Sequence, residues 1–430
     1  VTARAAALRA LLSGEDVTAA LDSTLKESGL DMRDTGFATE LAYGTTKMRR
    51  ALEWSVQTAL KRPFASLDVA LQSILLLGAY QLLYLDRIPA HGAVDESVKL
   101  AREYGHAGTA GLANAVLRAI ARERPKPKRP TNEDPIADFA AFASLPDWIA
   151  EHYVGRFGFA DALRAAEGLN APPARAVRLE TGQSPPPGAS PSPYGVPETA
   201  LVESLTDAAR AYASQSAESQ LAVHLLDPHP GESVLDICAG RGTKTAMIAQ
   251  RLGGAGAIFS LDDDEAKLSV LRRDTKRWSN IKAVTADARK PFPAIVPRDV
   301  DRALVDAPCS GLGILGRRPD ARWRKAPGDP ARFAAVQRLI LDAAAARVRV
   351  GGTLLYVTCS THEAEDEAPV QSFLAGNDQW RAMAIEQSRQ LNVESSRRDG
   401  LRLRGPYLQI VPGIRGADGF FYALLERRSA

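Results

Sequence analysis

Up to about Arg124, apolar residues return every three to four positions, the spacing of one face of an α-helix, and turn-formers interrupt the pattern. The spacing predicts helices beginning near Thr2, Val17, Thr35, Leu67, His91 and Gly108, with Pro63, Pro89 and Gly105 in the gaps. Such helices bury their apolar faces only against one another, so residues 1–125 read as an all-helical domain. The stretch RERPKPKRPTNEDP, from Arg122 to Pro135, is proline-broken and charged; residues 126–136 are therefore a solvated linker, with a basic half able to touch phosphate.

Two further helical patterns run from Ala137 to about Leu169, and the Pro/Ser/Gly-rich TGQSPPPGASPSPYG from Thr181 reads as a loop. Residues 137–213 thus form a small intermediate segment. After Ala211 the period changes. Short β-rich runs (SVLDIC, AIFSLD, IKAVTAD, RALVDAP and GTLLYVTCS) alternate with helical ones starting near Thr243, Glu265 and Pro330. Apolar strands alternating with helices predict an α/β domain at 214–430, its parallel sheet covered on both faces.

Ligands of such sheets gather at the carboxyl ends of the strands. SVLDIC runs straight into AGRGTKT, so Asp236 closes a strand and Gly240 and Gly242 let backbone approach a ligand at a helix N-terminus. Asp262 ends the next strand, where a carboxylate can accept from ribose hydroxyls. GxxxxGK[ST] is absent, and Thr245 stands where a dinucleotide fingerprint has its third glycine; a nucleotide-like cofactor of another kind is implied. A cysteine on an apolar strand is usually inert core. Here all three, Cys238, Cys309 and Cys359, fall at predicted strand ends.

Length and composition narrow the picture further. With 430 residues, 45% hydrophobic and 24% charged, the chain is expected to be globular with about two or three domains, which excludes fibrous and disordered classes. A net charge of +3 permits a polyanionic partner without demanding one. Three cysteines cannot all pair, so free thiols in a reducing cytoplasm are expected. The opening VTARAAALRALLSG lacks a continuous apolar stretch, and VALQSILLLGAYQLLYL from Val69 is broken by Gln72 and Gln81; neither a signal peptide nor a membrane span is expected. The Cys and His spacings match no zinc site, and no metal is expected.

DICAGRGTKT, DAPCSG and TCS, in this order, resemble the motifs of RNA cytosine-5 methyltransferases of the NOL/Sun type. LAYGTTKMRR, LLLGAYQLLYLDRIP and GLANAVLRAI are similar to the NusB-like RNA-binding domain of some members, and GADGFFYALLERR to the family's last strand. The resemblance weakens between about Arg175 and Ala213. It implies a Rossmann-like class I methyltransferase domain, with a mostly parallel seven-stranded sheet, behind an all-α NusB-like domain. It also implies S-adenosylmethionine as cofactor, RNA (small-subunit ribosomal RNA foremost) as substrate, and a monomer.

The chemistry follows from the base. Cytosine C5 is a poor nucleophile; a thiolate adding to C6 makes C5 nucleophilic, and loss of the C5 proton and the thiolate restores aromaticity. The resemblance implies Cys359 as that nucleophile, Cys309 as the group assisting adduct breakdown, and Asp306 as a hydrogen-bond partner of the cytosine edge or the cofactor's amino group. Cys238, Ala239, Gly240, Arg241, Gly242, Thr243, Lys244, Asp262, Asp287 and Asp306 would line the cofactor pocket. DNA cytosine-5 methyltransferases use a Pro-Cys in the position of Pro308-Cys309, so the reversed roles stand as the alternative. The target base must be unstacked, so single-stranded or loop RNA is expected, and the run LGRRPDARWRK (Arg317, Arg318, Arg322, Trp323, Arg324, Lys325) offers groups to grip it.

The chain departs from the family pattern at Arg241 and Thr243, where proline and glycine are usual, at Gln215-Ser216 for Gln-Asp, and at Glu365-Asp366 for Glu-Asn. A non-catalytic RNA-binding or assembly protein and a DNA-directed enzyme are the competing readings. The paired cysteines disfavour the first, and the NusB-like region together with the TCS cysteine disfavours the second.

Overall fold

The computed structural model describes residues 1–203, 207–387 and 399–429. The chain folds as two compact units, one of residues 1–170 with 315–324 and one of 171–314 with 325–430. The sequence-based divisions near 125 and 213 fall inside these units. No helix among the described residues is long and apolar enough to cross a membrane.

The first unit is helical: α1 (Ala3–Leu12), α2 (Val17–Ser28), α3 (Met32–Lys47), α4 (Arg49–Thr58), α5 (Val69–Tyr84), α6 (Ala90–Glu103), α7 (Ala107–Glu123), α8 (Ile136–Ala143), α9 (Asp147–Phe157) and α10 (Phe159–Asn170). Asp16, Asp31 and Asp68 cap α2, α3 and α5 by accepting from first-turn N–H groups, which is why those helices start there. The central helix is α5, with Leu71, Ile74, Leu75 and Leu77 all buried. Two glycines permit its close crossings. A Cβ on Gly44 would lie 2.0 Å from the Tyr80 ring, and one on Gly78 would lie 2.7 Å from Leu117. The break between α3 and α4 at Met48 escaped the sequence pattern, because neither glycine nor proline marks it and Met48 departs only mildly from helical angles (φ −93°, ψ 13°).

Residues 315–324 belong to this unit, and two of the groups the sequence offered to RNA, Arg322 and Trp323, are engaged inside it. Arg322 is fully buried and donates to the carbonyls of Lys47, Ala143, Ser144 and Leu169 and to Asn170 Oδ1. These acceptors lie at the C-termini of α3, α8 and α10, where helix dipoles concentrate negative potential, so the cation is solvated by carbonyls instead of a carboxylate. Trp323 Nε1 donates to the Thr46 carbonyl at 2.7 Å. Arg318 and Arg324 remain exposed.

The second unit is an α/β domain built on one large sheet. Its parallel strands β5 (Ser233–Ile237), β6 (Ala257–Asp262), β7 (Ile281–Thr285), β8 (Val300–Asp306) and β9 (Val348–Thr358) stand in the order β7-β6-β5-β8-β9, and β13 (Phe421–Arg427) adds antiparallel to β9. Alternate residues feed two cores: Leu235 packs with Ile340 and Phe373 on one face, Val234 with Met247 and Leu304 on the other.

The resemblance implied seven strands, whereas nine are described in this sheet. The place beyond β13 is shared by two short strands, β10 (Trp380–Met383) along residues 424–427 and β12 (Tyr407–Ile410) along 421–422, and β11 (Leu401–Arg404) pairs outside β12. A separate antiparallel sheet of β1 (Arg175–Arg178), β2 (Ser190–Pro191), β3 (Thr199–Val202) and β4 (Ala213–Ser214) surrounds the stretch expected as loop, and only β2 lies within it. Its strands of two to four residues are too short to show a period.

Candidate active site

The register of β8 against β9 sets the site. Asp306 pairs with Val357, so the chain leaves both strands nearly level, with Cys309 three residues after Asp306 and Cys359 two after Val357. The two Sγ atoms lie 3.2 Å apart and both side chains are half-buried. The loops are tied by backbone as well. Gly313 N donates to the Cys359 carbonyl at 2.9 Å, and Gly419 N donates to the Gly313 carbonyl at 2.7 Å. A Cβ on Gly313 would meet the Gly419 oxygen at 2.0 Å, so only glycine permits this approach.

Lys244, in the first turn of the helix Thr243–Leu252, donates to Asp306 Oδ2 at 2.6 Å and lies 6.0 Å from the centre of the Phe420 ring. Burial works to lower its pKa, but Asp306, Asp236 and Cys359 together raise it, so the ammonium is held charged. The ammonium lies within electrostatic reach of Cys359. At Cys309 the hydrogen bond with Cys359, burial and the charges of Cys359 and Glu365 push the thiol well up, keeping its proton on. Cys238 is no reactive thiol either, since burial pushes its pKa up.

The turn after β5 takes three left-handed residues, Cys238 (φ 60°), Gly240 (φ 57°) and Gly242 (φ 82°). Cys238 is non-glycine and therefore strained, a cost that concentrates at functional sites. Gly240 N donates to Asp262 Oδ2 at 2.9 Å, and Asp264 N to Asp262 Oδ1 at 3.0 Å, so this carboxylate is fixed at the end of β6. Arg178, which the sequence reading missed, donates to the Thr243 carbonyl at 2.8 Å and to Gln215 at 2.9 Å, bracing the turn.

Beside the turn is a cavity of about 440 Å³ whose walls include Cys238, Gly240, Asp262, Asp287 and Asp306. Asp287 is gripped by both Arg289 nitrogens and pulled down to about 2 by those bonds. Ala239, Gly242 and Thr243 shape the turn without walling the cavity, and Arg241 and Thr243 are exposed, so neither crowds it. Lys244 reaches the cavity only through Asp306.

A model described as "16S rRNA methyltransferase RsmB/F" matches residues 223–426, and a "NusB family" model matches residues 1–122. The "Probable ribosomal RNA small subunit methyltransferase B" of Bacillus subtilis is 32% identical over 427 residues, covering 95% of this chain and 94% of that protein. The Thermus thermophilus "Ribosomal RNA small subunit methyltransferase B" is 33% identical, over 99% and 98% of the two chains. The chain belongs to the RsmB/F family of 16S rRNA methyltransferases.

The solved structure of PH0851 superposes with a TM-score of 0.77 at 22% identity, covering 99% of this chain and 98% of that one, and so shares the fold. Within this RsmB/F chain the cavity has one more wall that the sequence reading did not find. Arg332, Phe333 and Val336 reach it from the helix Asp329–Ala345. At helical spacing, a wall-forming Phe333 and a core-forming Leu341 look alike, so periodicity held no signal for it. The donor set suits a nucleoside carrying a sulfonium. Asp262 is placed for vicinal hydroxyls, Asp306 and Asp287 offer negative charge to a cation, and Phe333 offers an aromatic face.

Proposed function

We propose that this chain methylates carbon 5 of a cytosine in ribosomal RNA, most directly 16S rRNA in the cytoplasm, with Cys359 as nucleophile and Cys309 assisting release. The observation that carries this reading is the meeting of the two sulfur atoms, 3.2 Å apart, with Asp306 and Pro308, just before Cys309 in the chain, in the wall of an acid-lined cavity.

Asp262, Asp287, Asp306 and the Cys238–Lys244 turn would hold S-adenosylmethionine, which when bound supplies a methyl group as a sulfonium electrophile. The protein's residues do the rest. The Cys359 thiolate, with the Lys244 ammonium nearby, forms a bond from Sγ to C6 and drives the ring electrons onto C5. Asp306, held by Lys244, accepts a hydrogen bond from the cytosine's exocyclic amino group and keeps the ring oriented. After alkylation a base takes the C5 proton and the C6–S bond breaks, its electron pair returning to Cys359. Cys309, which keeps its proton, stands by the departing sulfur as a hydrogen-bond donor and stabilises the thiolate as it leaves. The raised Cys309 thiol, a poorer nucleophile for holding its proton, favours this assignment over the reversed one.

The test is purified protein with methyl-labelled S-adenosylmethionine and small-subunit ribosomal RNA lacking the modification, digested to nucleosides. Label in 5-methylcytidine supports the proposal. Label in another nucleoside, or none with folded protein, rejects it.

A further inference from the structure

Beneath the two thiols lies a carboxylate with no part in the chemistry above. Glu365 is fully buried, six residues after Cys359. Its Oε1 accepts from Ser310 N at 2.6 Å and from Gln337 Nε2 at 3.4 Å, and its Oε2 accepts from the hydroxyls of Ser310 and of Ser360, the latter at 2.6 Å. Ser310 follows Cys309 and Ser360 follows Cys359. A single carboxylate therefore holds the residue after each cysteine, and Gln337 extends the grip by donating to the Pro308 carbonyl at 3.0 Å.

We propose that Glu365 is the positioning residue of the thiol pair, clamping the Cys309 loop to the Cys359 loop and setting the two sulfurs to unequal tasks; this rests on the cytosine-5 reading of the site. A buried carboxylate without partners would be costly and would leave as the neutral acid. Here four donor groups face it and favour the ionised form, while burial, the larger effect, raises its pKa on balance. The Glu365 carboxylate raises the Cys309 thiol from behind, while the Lys244 ammonium lies near Cys359. The other titratable groups facing the pair are Asp306 from β8, Tyr356 from β9, whose hydroxyl donates to the Glu365 carbonyl at 2.6 Å, and Asp366 after Glu365. None of these supplies a second positive charge.

The decisive variant is Glu365→Gln, which keeps shape and one acceptor but removes the charge and puts a donor before the two hydroxyls. Initial rates of iodoacetamide alkylation at each cysteine, resolved by peptide mass spectrometry across pH, need neither RNA nor methyl donor. In Glu365→Gln the pH of half-maximal Cys309 alkylation should fall by about one unit or more, and kcat for methyl transfer should fall roughly 10²-fold with KM for RNA little changed. Glu365→Asp keeps the charge but is too short to span both serines. It should leave the Cys309 pH profile as in the unsubstituted protein and lower kcat about 10-fold or more.

An unshifted Cys309 profile with kcat within twofold in Glu365→Gln would overturn the clamp. Should that variant not fold, a kcat within twofold in Glu365→Asp would overturn it instead. A Cys309 shift in a protein that makes no 5-methylcytidine would leave the clamp standing and reject the cytosine-5 reading, so the two failures are separable.

Discussion

The ammonium of Lys244 donates to Asp306 across 2.6 Å, joining the first turn after β5 to the end of β8. The pair carries two duties: it fixes the carboxylate that would meet the base, and it sets positive charge near Cys359. Lys244→Met should therefore lower methyl transfer by about 10²–10³-fold, the scale of losing one preorganised charged donor, with the fold kept. Steady-state rates beside circular dichroism check this. Activity within threefold of the unsubstituted protein would remove Lys244 from the site's electrostatics.

Asp236 ends β5 fully buried, with Thr245 donating to Oδ2 at 2.5 Å and no protein partner for Oδ1. Burial raises its pKa from 3.8 to about 7, against the Thr245 bond and the Lys244 charge that lower it. A folded-state pKa above the unfolded value means a stabilising contribution present in full below about pH 3.8 and lost as pH rises through about 7. Asp236→Asn cannot ionise. Urea midpoints at pH 5 and pH 8 should differ less in this variant than in the unsubstituted chain. An equal drop in both proteins would contradict the assignment.

Arg322 is a buried cation whose acceptors are all carbonyl oxygens. Arg322→Met removes the charge and leaves these oxygens without their donor, a large loss of the kind named for broken buried networks. The helical unit should lose about 3 kcal/mol or more, with Arg322→Lys intermediate because three donors cannot replace a five-donor fork. Urea unfolding followed by tryptophan fluorescence reads this. A loss below about 1 kcal/mol would show that the oxygens find water instead.

The placing of polar residues at the strand ends was legible in the sequence for a physical reason. Parallel strands covered on both faces are apolar runs, so the first polar residues after them, Asp236, Asp262, Asp306 and Cys359, mark the ligand end of the sheet. The helical unit was legible through its period, apart from the break at Met48. What stayed hidden depends on distance in space. Arg322 in a basic run looks like a phosphate contact until its carbonyl partners, 150 and more residues earlier, are seen. The link from Glu365 to Ser310 spans 55 residues, and no local pattern announces it. The short strands β1 to β4 and the shared place beyond β13 fell below the length at which alternation is visible.

The central claim is that Cys359 attacks and Cys309 releases. Incubating Cys309→Ala, Cys359→Ala and the doubly substituted protein with unmodified small-subunit RNA and S-adenosylmethionine, then resolving them on a denaturing gel, tests it most directly. A protein–RNA adduct should accumulate in Cys309→Ala alone, with mass spectrometry placing the nucleotide on Cys359. An adduct that builds up in Cys359→Ala, attached through Cys309, would contradict the account and reverse the roles.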